Sequence, residues 1–200
     1  MNTLPVRFTH PHAEPPTRAH PTDAGLDLAD YAAGGAVVVD LSLATDTGKR
    51  GTETDTLREI EGAIGSPNAD TFKGDGLANL FRGNAGKDTA TGGAGPDVFD
   101  IDALAHSTVG TNRDVITDFT PGSDDLDLST IDARSATPAV NDAFSFLAAR
   151  GAAFTGAGQV RWYQTGGNTL VEANADANLA PDLQIQLTGL KTLSAADFVL

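Results

Sequence analysis

The chain contains no cysteine. That excludes a disulfide framework, a thiol nucleophile and a cysteine zinc site, and it leaves the cellular compartment open. Positive charge is scarce. Lys and Arg number 13 against 27 Asp and Glu, giving a net charge of −14 and a pI near 4.4. Without a basic patch the chain has nothing to offer a nucleic-acid backbone or an anionic bilayer, so neither is an expected partner. Acidity of this kind suits cation binding and solubility. No run of about 18 apolar residues occurs, and no membrane insertion is expected. Met1 to Pro16 has no charged-then-apolar leader, so no ordinary signal peptide is expected either.

Catalytic signatures are missing as well. No histidine is followed by Glu, so the His-Glu-x-x-His arrangement of a zinc protease is absent. There is no Gly-x-Ser-x-Gly elbow. Gly86-Lys87-Asp88 lacks the first Gly and the Ser/Thr of a phosphate-binding loop. Asp124, Asp125 and Asp127 cluster. Alternation along a strand puts Asp125 and Asp127 on one face and Leu126 and Leu128 on the other, as on a solvated strand. The expectation is a protein that is not an enzyme.

What the chain has is glycine and aspartate in phase. Gly65 to Asp100 divides into four nine-residue units that open at Gly65, Gly74, Gly83 and Gly92. The sixth position of each is Asp70, Asn79, Asp88 or Asp97. The eighth is Phe72, Phe81, Ala90 or Phe99. Six small or polar residues suit a turn, because Gly and Asn tolerate backbone angles that others avoid. The last three residues form a short strand with the eighth side chain inward. Two units then make one coil of a flattened helix, and alternate units stack in parallel. Strands about 4.8 Å apart bring Asp70 near Asp88 and Asn79 near Asp97. Two carboxylates about 5 Å apart repel by roughly 3 kcal/mol at an effective dielectric near 20, and a hard cation between them reverses the sign. Carbonyls of the turns through Gly65, Gly74, Gly83, Ala85, Gly86, Gly92, Gly93 and Gly95 are available as further oxygens. Calcium accepts six to eight of them with loose geometry. By charge count, the Asp70/Asp88 site should bind more tightly than the Asn79/Asp97 site. Only the fourth unit carries the whole Gly-Gly-x-Gly-x-Asp pattern of calcium-binding β-helix repeats.

The flanks divide the chain further. Residues 1–30 read as a flexible Pro- and His-rich leader, with Pro5, Pro11, Pro15, Pro16 and Pro21. His10, His12 and Glu14 form a conceivable metal clasp there. Residues 31–64 hold lead-in strands, Ala36–Leu43 and Leu57–Ile64, around a polar loop from Ala44 to Thr56. These strands cap the 65–102 repeats. Residues 103–200 read as a β-rich cap over the exposed strand edges. It has strands at Asp114–Phe119, Asp125–Ser129, Gln159–Gln164, Asn168–Glu172 and Leu183–Leu187. Thr165-Gly166-Gly167 forms a hairpin turn, and a short helix is possible over Asp142–Arg150. Asn174 to Asp182 has the spacing of a degenerate calcium loop, with Leu179 in place of Gly. A plain hairpin turn is the preferred reading there.

The run from Ala36 to Leu200 resembles the C-terminal domain of serralysin-type metalloproteases, within the wider RTX group. The matching residues are the four repeats, Asp114-Val-Ile-Thr-Asp-Phe119, Asp125-Leu-Asp-Leu-Ser129, Gly167-Asn-Thr-Leu-Val-Glu172, Gln184-Ile-Gln-Leu-Thr-Gly-Leu190 and Asp197-Phe-Val-Leu200. The resemblance implies an all-β fold, a right-handed parallel β-roll of nonapeptide repeats capped by a C-terminal β-rich, sandwich-like region. It implies folding on calcium, and export through a type I secretion apparatus that reads the C-terminus, hence a secreted, extracellular protein. It carries Asp114 over as a ligand closing the last calcium site, and it places an acidic residue where His106 stands. Two functions remain: a stand-alone calcium-binding protein with a binding or matrix role, which the Met1 start favours, or the folding and export module of an enzyme whose catalytic part is supplied elsewhere.

Overall fold

The structure, a computed structural model, describes residues 17–18, 28–42, 46–57, 60–136 and 141–200. Among the described residues six strands precede the repeats: β1 (Thr17–Arg18), β2 (Leu28–Asp30), β3 (Val37–Asp40), β4 (Asp46–Arg50), β5 (Glu53–Leu57) and β6 (Gly62–Ile64). The repeats supply β7 (Thr71–Lys73), β8 (Leu80–Arg82), β9 (Thr89–Thr91) and β10 (Val98–Asp100). Then come β11 (Asp114–Ile116), β12 (Asp125–Asp127), β13 (Ser145–Phe146), β14 (Gln159–Thr165), β15 (Asn168–Asn174), β16 (Leu183–Leu187) and β17 (Phe198–Val199). Among the described residues the sole helical element is a single 3-10 turn, Ala195–Asp197.

Successive strands of the repeats alternate between two sheets. One sheet runs β1-β2-β6-β8-β10-β12-β17, the other β13-β14-β15-β16-β11-β9-β7-β3-β4-β5. Pairing is parallel from β3 through β7 and β9 to β11, and from β2 through β6, β8 and β10 to β12. The eighth residue of each unit lies on its counterpart two units on, Phe72 on Ala90 and Phe81 on Phe99. This is the expected parallel β-roll with a β-rich cap. The parallel stack runs past both ends of the four units, taking in β2, β3 and β6 before them and β11 and β12 after them.

The reason lies in the burial pattern. In β7, β8 and β9 only the middle residue is buried. A three-residue strand with one inward side chain gains stability only by stacking on its neighbours. Phe72, Phe81, Phe99 and Phe119 form the spine of the core, with ring centroids 5.5, 6.3 and 6.2 Å apart in sequence. Ala90 interrupts it. A cavity of about 30 Å³ lies there, lined in part by Phe72, Phe81, Ala90, Ile116 and Ile185.

Several flanking expectations are corrected. The supposed polar loop Ala44–Thr56 contains β4 and β5, an antiparallel hairpin on the edge of β3. It is held because the hydroxyl end of Tyr31 fills the space where a Cβ on Gly48 would stand, and that hydroxyl reaches Asp55 Oδ2 at 3.3 Å. Leu57–Ile64 is not one strand, since Leu57 ends β5 and Gly62 starts β6. Asp142–Arg150 is not helical. Ser145 and Leu147 donate backbone N–H to Gly158 and Val160 carbonyls at 2.8 Å each, which lays β13 against β14. The Gly166–Gly167 hairpin forms as expected, with φ of +56° and +82°. Of the leader, Thr17–Arg18 pairs with β2, and β2 itself joins the roll. His10, His12 and Glu14 lie outside the described residues.

Phe81→Ala removes the ring stacked between Phe72 and Phe99 and should cost about 3–5 kcal/mol. Ala90→Val adds methyl groups beside the cavity and should raise stability by about 0.5–1 kcal/mol. Urea denaturation of both variants, expected to move in opposite directions, checks the packing.

Candidate metal centre

Each unit turns just before its strand, so the sixth-position side chains line up along two edges of the roll. On the first edge, the Val37 N–H donates to Asp70 Oδ1 at 2.7 Å, Asp70 N–H to Asp88 Oδ1 at 2.7 Å, and Asp88 N–H to Asp114 Oδ1 at 2.8 Å. Asp114 N–H donates to Ser107 Oγ at 2.8 Å, and that hydroxyl donates to the Gln184 carbonyl at 2.7 Å. On the second edge, Asn79 Nδ2 donates to the Glu61 carbonyl at 3.2 Å, Asn79 N–H to Asp97 Oδ1 at 2.9 Å, and Asp97 N–H to Asp124 Oδ1 at 3.2 Å. The structure therefore brings Asp70, Asp88 and Asp114 together on one edge, and Asn79 and Asp97 on the other.

These rungs occupy one oxygen of each carboxylate. Asp88 Oδ2 and Asp97 Oδ2 are buried and have no hydrogen-bond partner. Such orphaned acceptors are costly unless something positive satisfies them. The glycines at the head of each unit make room for them. A Cβ on Gly83 would fall on Asp88 Oδ2, and one on Gly92 would fall on Asp97 Oδ2. Gly93 has φ +99°, a conformation that side chains rarely adopt, and its Cβ would strike the Asp75 carbonyl. A Cβ on Gly65 would crowd Asp70 Oδ2 and the Gly83 carbonyl, and one on Gly74 the Gly92 carbonyl and Asn79 Oδ1. Gly86 lies 2.6 Å from the Asn68 carbonyl by the same measure, and Gly95 2.6 Å from that of Leu77. Ala85 sits in the third turn, half-buried.

Among the described residues no three Asp, Glu, His or Cys side chains gather closely enough to hold a metal alone. A cation on either edge would draw the rest of its ligands from turn carbonyls, which suits a hard ion with oxygen ligands. The donor set fits calcium on that ground: unpaired carboxylate oxygens beside stacked carbonyls, with no sulfur or imidazole on the rungs.

Four participants were not legible as such in the repeats. Asp124 occupies the sixth-position place of a further unit, since Asp125–Asp127 pairs with Val98–Asp100. The signal was available, an Asp just before an alternating strand. Asp118 accepts Gly92 N–H and Gly93 N–H at 2.9 Å each. Ser66 donates its N–H and hydroxyl to Asp70. Ser107 ends the first edge. With Asp118 and Asp124 beside Asp97, the second edge carries more negative charge than the Asn79/Asp97 pair alone implies. His106, where the resemblance places an acid, has a buried Nδ1 without a partner, and burial lowers its pKa.

Burial raises the carboxyl pKa values along both edges. Asp88 is pushed up to about 8 by desolvation, with the Asp114 and Asp70 charges adding to it. Asp114 is raised to about 7 and Asp97 to about 6, again by desolvation first. A carboxyl with a higher pKa folded than unfolded favours the folded state in acid. That contribution is lost as pH rises from the ordinary value of 3.8 through about 8. With divalent cations chelated, the denaturation midpoint should therefore fall between about pH 5 and about pH 8. Asp88→Asn should flatten the upper part of that slope; thermal melts across the range measure it.

The profile of the family described as Peptidase M10 serralysin C terminal matches residues 23–200. No curated protein matches the chain. Among solved structures, the chain is similar to the AlgE6R3 subunit of the Azotobacter vinelandii mannuronan C5-epimerase, at 23% identity and a TM-score of 0.39, over 69% of this chain and 76% of that one. The AlgE6R2 subunit of the same enzyme is similar at 22% identity and a TM-score of 0.33, over 68% of this chain and 91% of that one. With the profile covering nearly all of its length, the chain belongs to the Peptidase M10 serralysin C-terminal family.

Proposed function

We propose that this protein is a secreted, non-catalytic calcium-binding β-roll protein that folds on calcium after export. The observation that carries the reading is the pair of buried, unpartnered oxygens, Asp88 Oδ2 and Asp97 Oδ2, each in a stack of carboxylates. Bound calcium would supply the positive charge that these stacks lack. Asp70, Asp88 and Asp114 would hold it on the first edge, with carbonyls of the turns through Gly65, Gly83, Ala85 and Gly86. Asn79, Asp97, Asp118 and Asp124 would hold it on the second, with carbonyls of the turns through Gly74, Gly92, Gly93 and Gly95. Where cations are scarce, the desolvated carboxylates oppose folding. Where they are abundant, binding energy becomes folding energy.

Export by a type I apparatus that reads the C-terminus suits this order of events. Asp197 is buried, accepts the Ser194 N–H at 2.6 Å and holds the Gly122 N–H, while β17 pairs with β12. A receptor for Asp197–Leu200 would have to meet them before the roll closes. The family's description favours a second reading, in which the chain is the folding and export module of a protease whose catalytic part is supplied elsewhere. The sequence itself offers no protease motif.

Far-UV circular dichroism during a calcium titration from chelated protein tests the proposal. Strand signal should appear cooperatively, and Asp88→Ala should raise the midpoint concentration on the order of tenfold, about 1.4 kcal/mol. Full strand content in excess chelator at neutral pH would overturn it.

A further inference from the structure

Positive charge never runs together in the sequence, yet the fold gathers cations from separate segments around β14–β16: Arg113, Arg150, Arg161 and Lys191. Arg161 is engaged by Glu172 at 2.7 Å. Among the described residues, the other three have no carboxylate at ion-pair distance. Arg113 is held by neutral oxygens, Gln184 Oε1 and Gln186 Oε1, at 3.0 Å each. Arg150 is exposed and donates Nη1 to Gln164 Oε1 at 2.8 Å, which leaves the rest of its guanidinium open. Gln164 Nε2 donates to the Lys191 carbonyl at 2.8 Å and brings that residue alongside. An open groove of about 490 Å³ lies here, lined in part by Arg150, Tyr163, Gln164 and Leu190. That is within the roughly 300–1,000 Å³ of ligand sites. Leu190 is 66% exposed. The charges of Arg161 and Arg113 both reach Tyr163.

A strand edge runs along the groove. Leu147 and Gly151 donate backbone N–H to the Val160 and Trp162 carbonyls at 2.8 Å each, on the side of β14 away from β15. Backbone groups alternate along a strand, so the N–H and C=O of Gln164 face that same side. Gly151 is the last residue to pair there. No backbone group among the described residues answers Gln164, although β14 continues to Thr165. An open edge of this kind accepts an added strand. Two features thus coincide: a donor and an acceptor in strand geometry, which another peptide backbone matches, and a cation beside them with donors to spare. The net charge of −14 disfavours a long polyanion, which would also meet the acidic roll. One or two carboxylates placed locally escape that repulsion.

We propose that the groove beside Gln164 binds a short acidic peptide in extended form, as a strand added to β14. The Gln164 N–H and C=O hold its backbone. The Arg150 guanidinium takes a carboxylate side chain, and the Tyr163 ring and Leu190 cover the apolar neighbours. The carboxylate matters more than either backbone bond, because a charge-assisted hydrogen bond is about twice as strong as a neutral one. The site lies outside both carboxylate ladders, so its failure and the failure of the calcium reading are separate results.

Amide spectra of the full chain in calcium, titrated with an acetylated, amidated peptide of alternating Val and Asp, test this. The Gln164, Thr165 and Gly166 signals should shift along a saturating curve. The same peptide with Asn for Asp should bind about tenfold more weakly, and so should the acidic peptide to Arg150→Gln. Gln164→Pro removes the edge N–H at a position where an edge strand tolerates proline. It should weaken binding, read at Thr165, more than Gln164→Ala does. Unmoved Gln164 signals, equal binding of both peptides, or wild-type binding by Arg150→Gln would overturn the proposal. Equal loss in Gln164→Ala and Gln164→Pro would overturn the added strand. Polygalacturonate that shifts these signals when the peptide does not would overturn it too. If Gln164→Pro does not fold, the two peptides and Arg150→Gln still decide.

Discussion

Within the repeats, each coil of this protein is fastened to the next by a carboxylate that sits under the backbone N–H of the residue eighteen positions earlier, as Asp88 does under Asp70 and Asp97 under Asn79. That spacing is the constraint on which the rest depends. It requires two nine-residue units per turn of the chain, so the eighth-position side chains face each other across the core. A slip of one residue would turn Phe72, Phe81 and Phe99 out to solvent and take every carboxylate off its rung. The same bond that sets the register strips water from a charge. Burial then raises Asp88 to about 8 and Asp114 to about 7, so the register and the need for a counter-charge arise from one contact.

Small residues follow from this rather than from flexibility. The head glycines of the third and fourth units lie where a Cβ would meet the free oxygen of the unit's own Asp. Asn84 takes the second position of the third unit with φ +66°, and its Nδ2 donates to the Gly65 carbonyl at 2.6 Å. That departure from glycine keeps the turn but ties up a carbonyl oxygen. The two edges thus differ in more than the charge at position six.

The period, the inward eighth position and the pairing of Asp70 with Asp88 were legible because each repeats in phase, and stacking converts a sequence period directly into contact. Asp114 and Asp124 were half-legible. They precede alternating strands as the repeat Asp residues do, yet longer connections break the nine-residue count before them. Asp118 was not legible as a partner of Gly92 and Gly93, which lie 26 and 25 residues away with no fixed period between. The β4–β5 hairpin was hidden because Asp46–Thr56 has no apolar alternation, and what anchors it is the distant ring of Tyr31 on Gly48. Phe144 and Leu147, three apart, mimic a helix. Backbone pairing with β14 outweighs that local pattern.

The ends of the two ladders explain how such a stack can stop. The first begins at Val37, a plain N–H donor, and finishes on the Ser107 hydroxyl, which donates a hydrogen bond to the Gln184 carbonyl just beyond. The second begins with the neutral amide of Asn79 on Glu61. It finishes at Asp124, whose Oδ2 is satisfied by the Thr120 N–H at 2.8 Å, with Asp197 holding the Gly122 N–H of the same turn. Both orphaned ladder oxygens, on Asp88 and Asp97, are therefore interior, and every end group has an ordinary hydrogen-bond partner. Asp70 is closed within its own unit by the Ser66 N–H, whereas the N–H groups that Asp88 and Asp97 accept belong to the preceding coil. The coils must therefore form together, with the uncompensated charge concentrated in the middle of the stack.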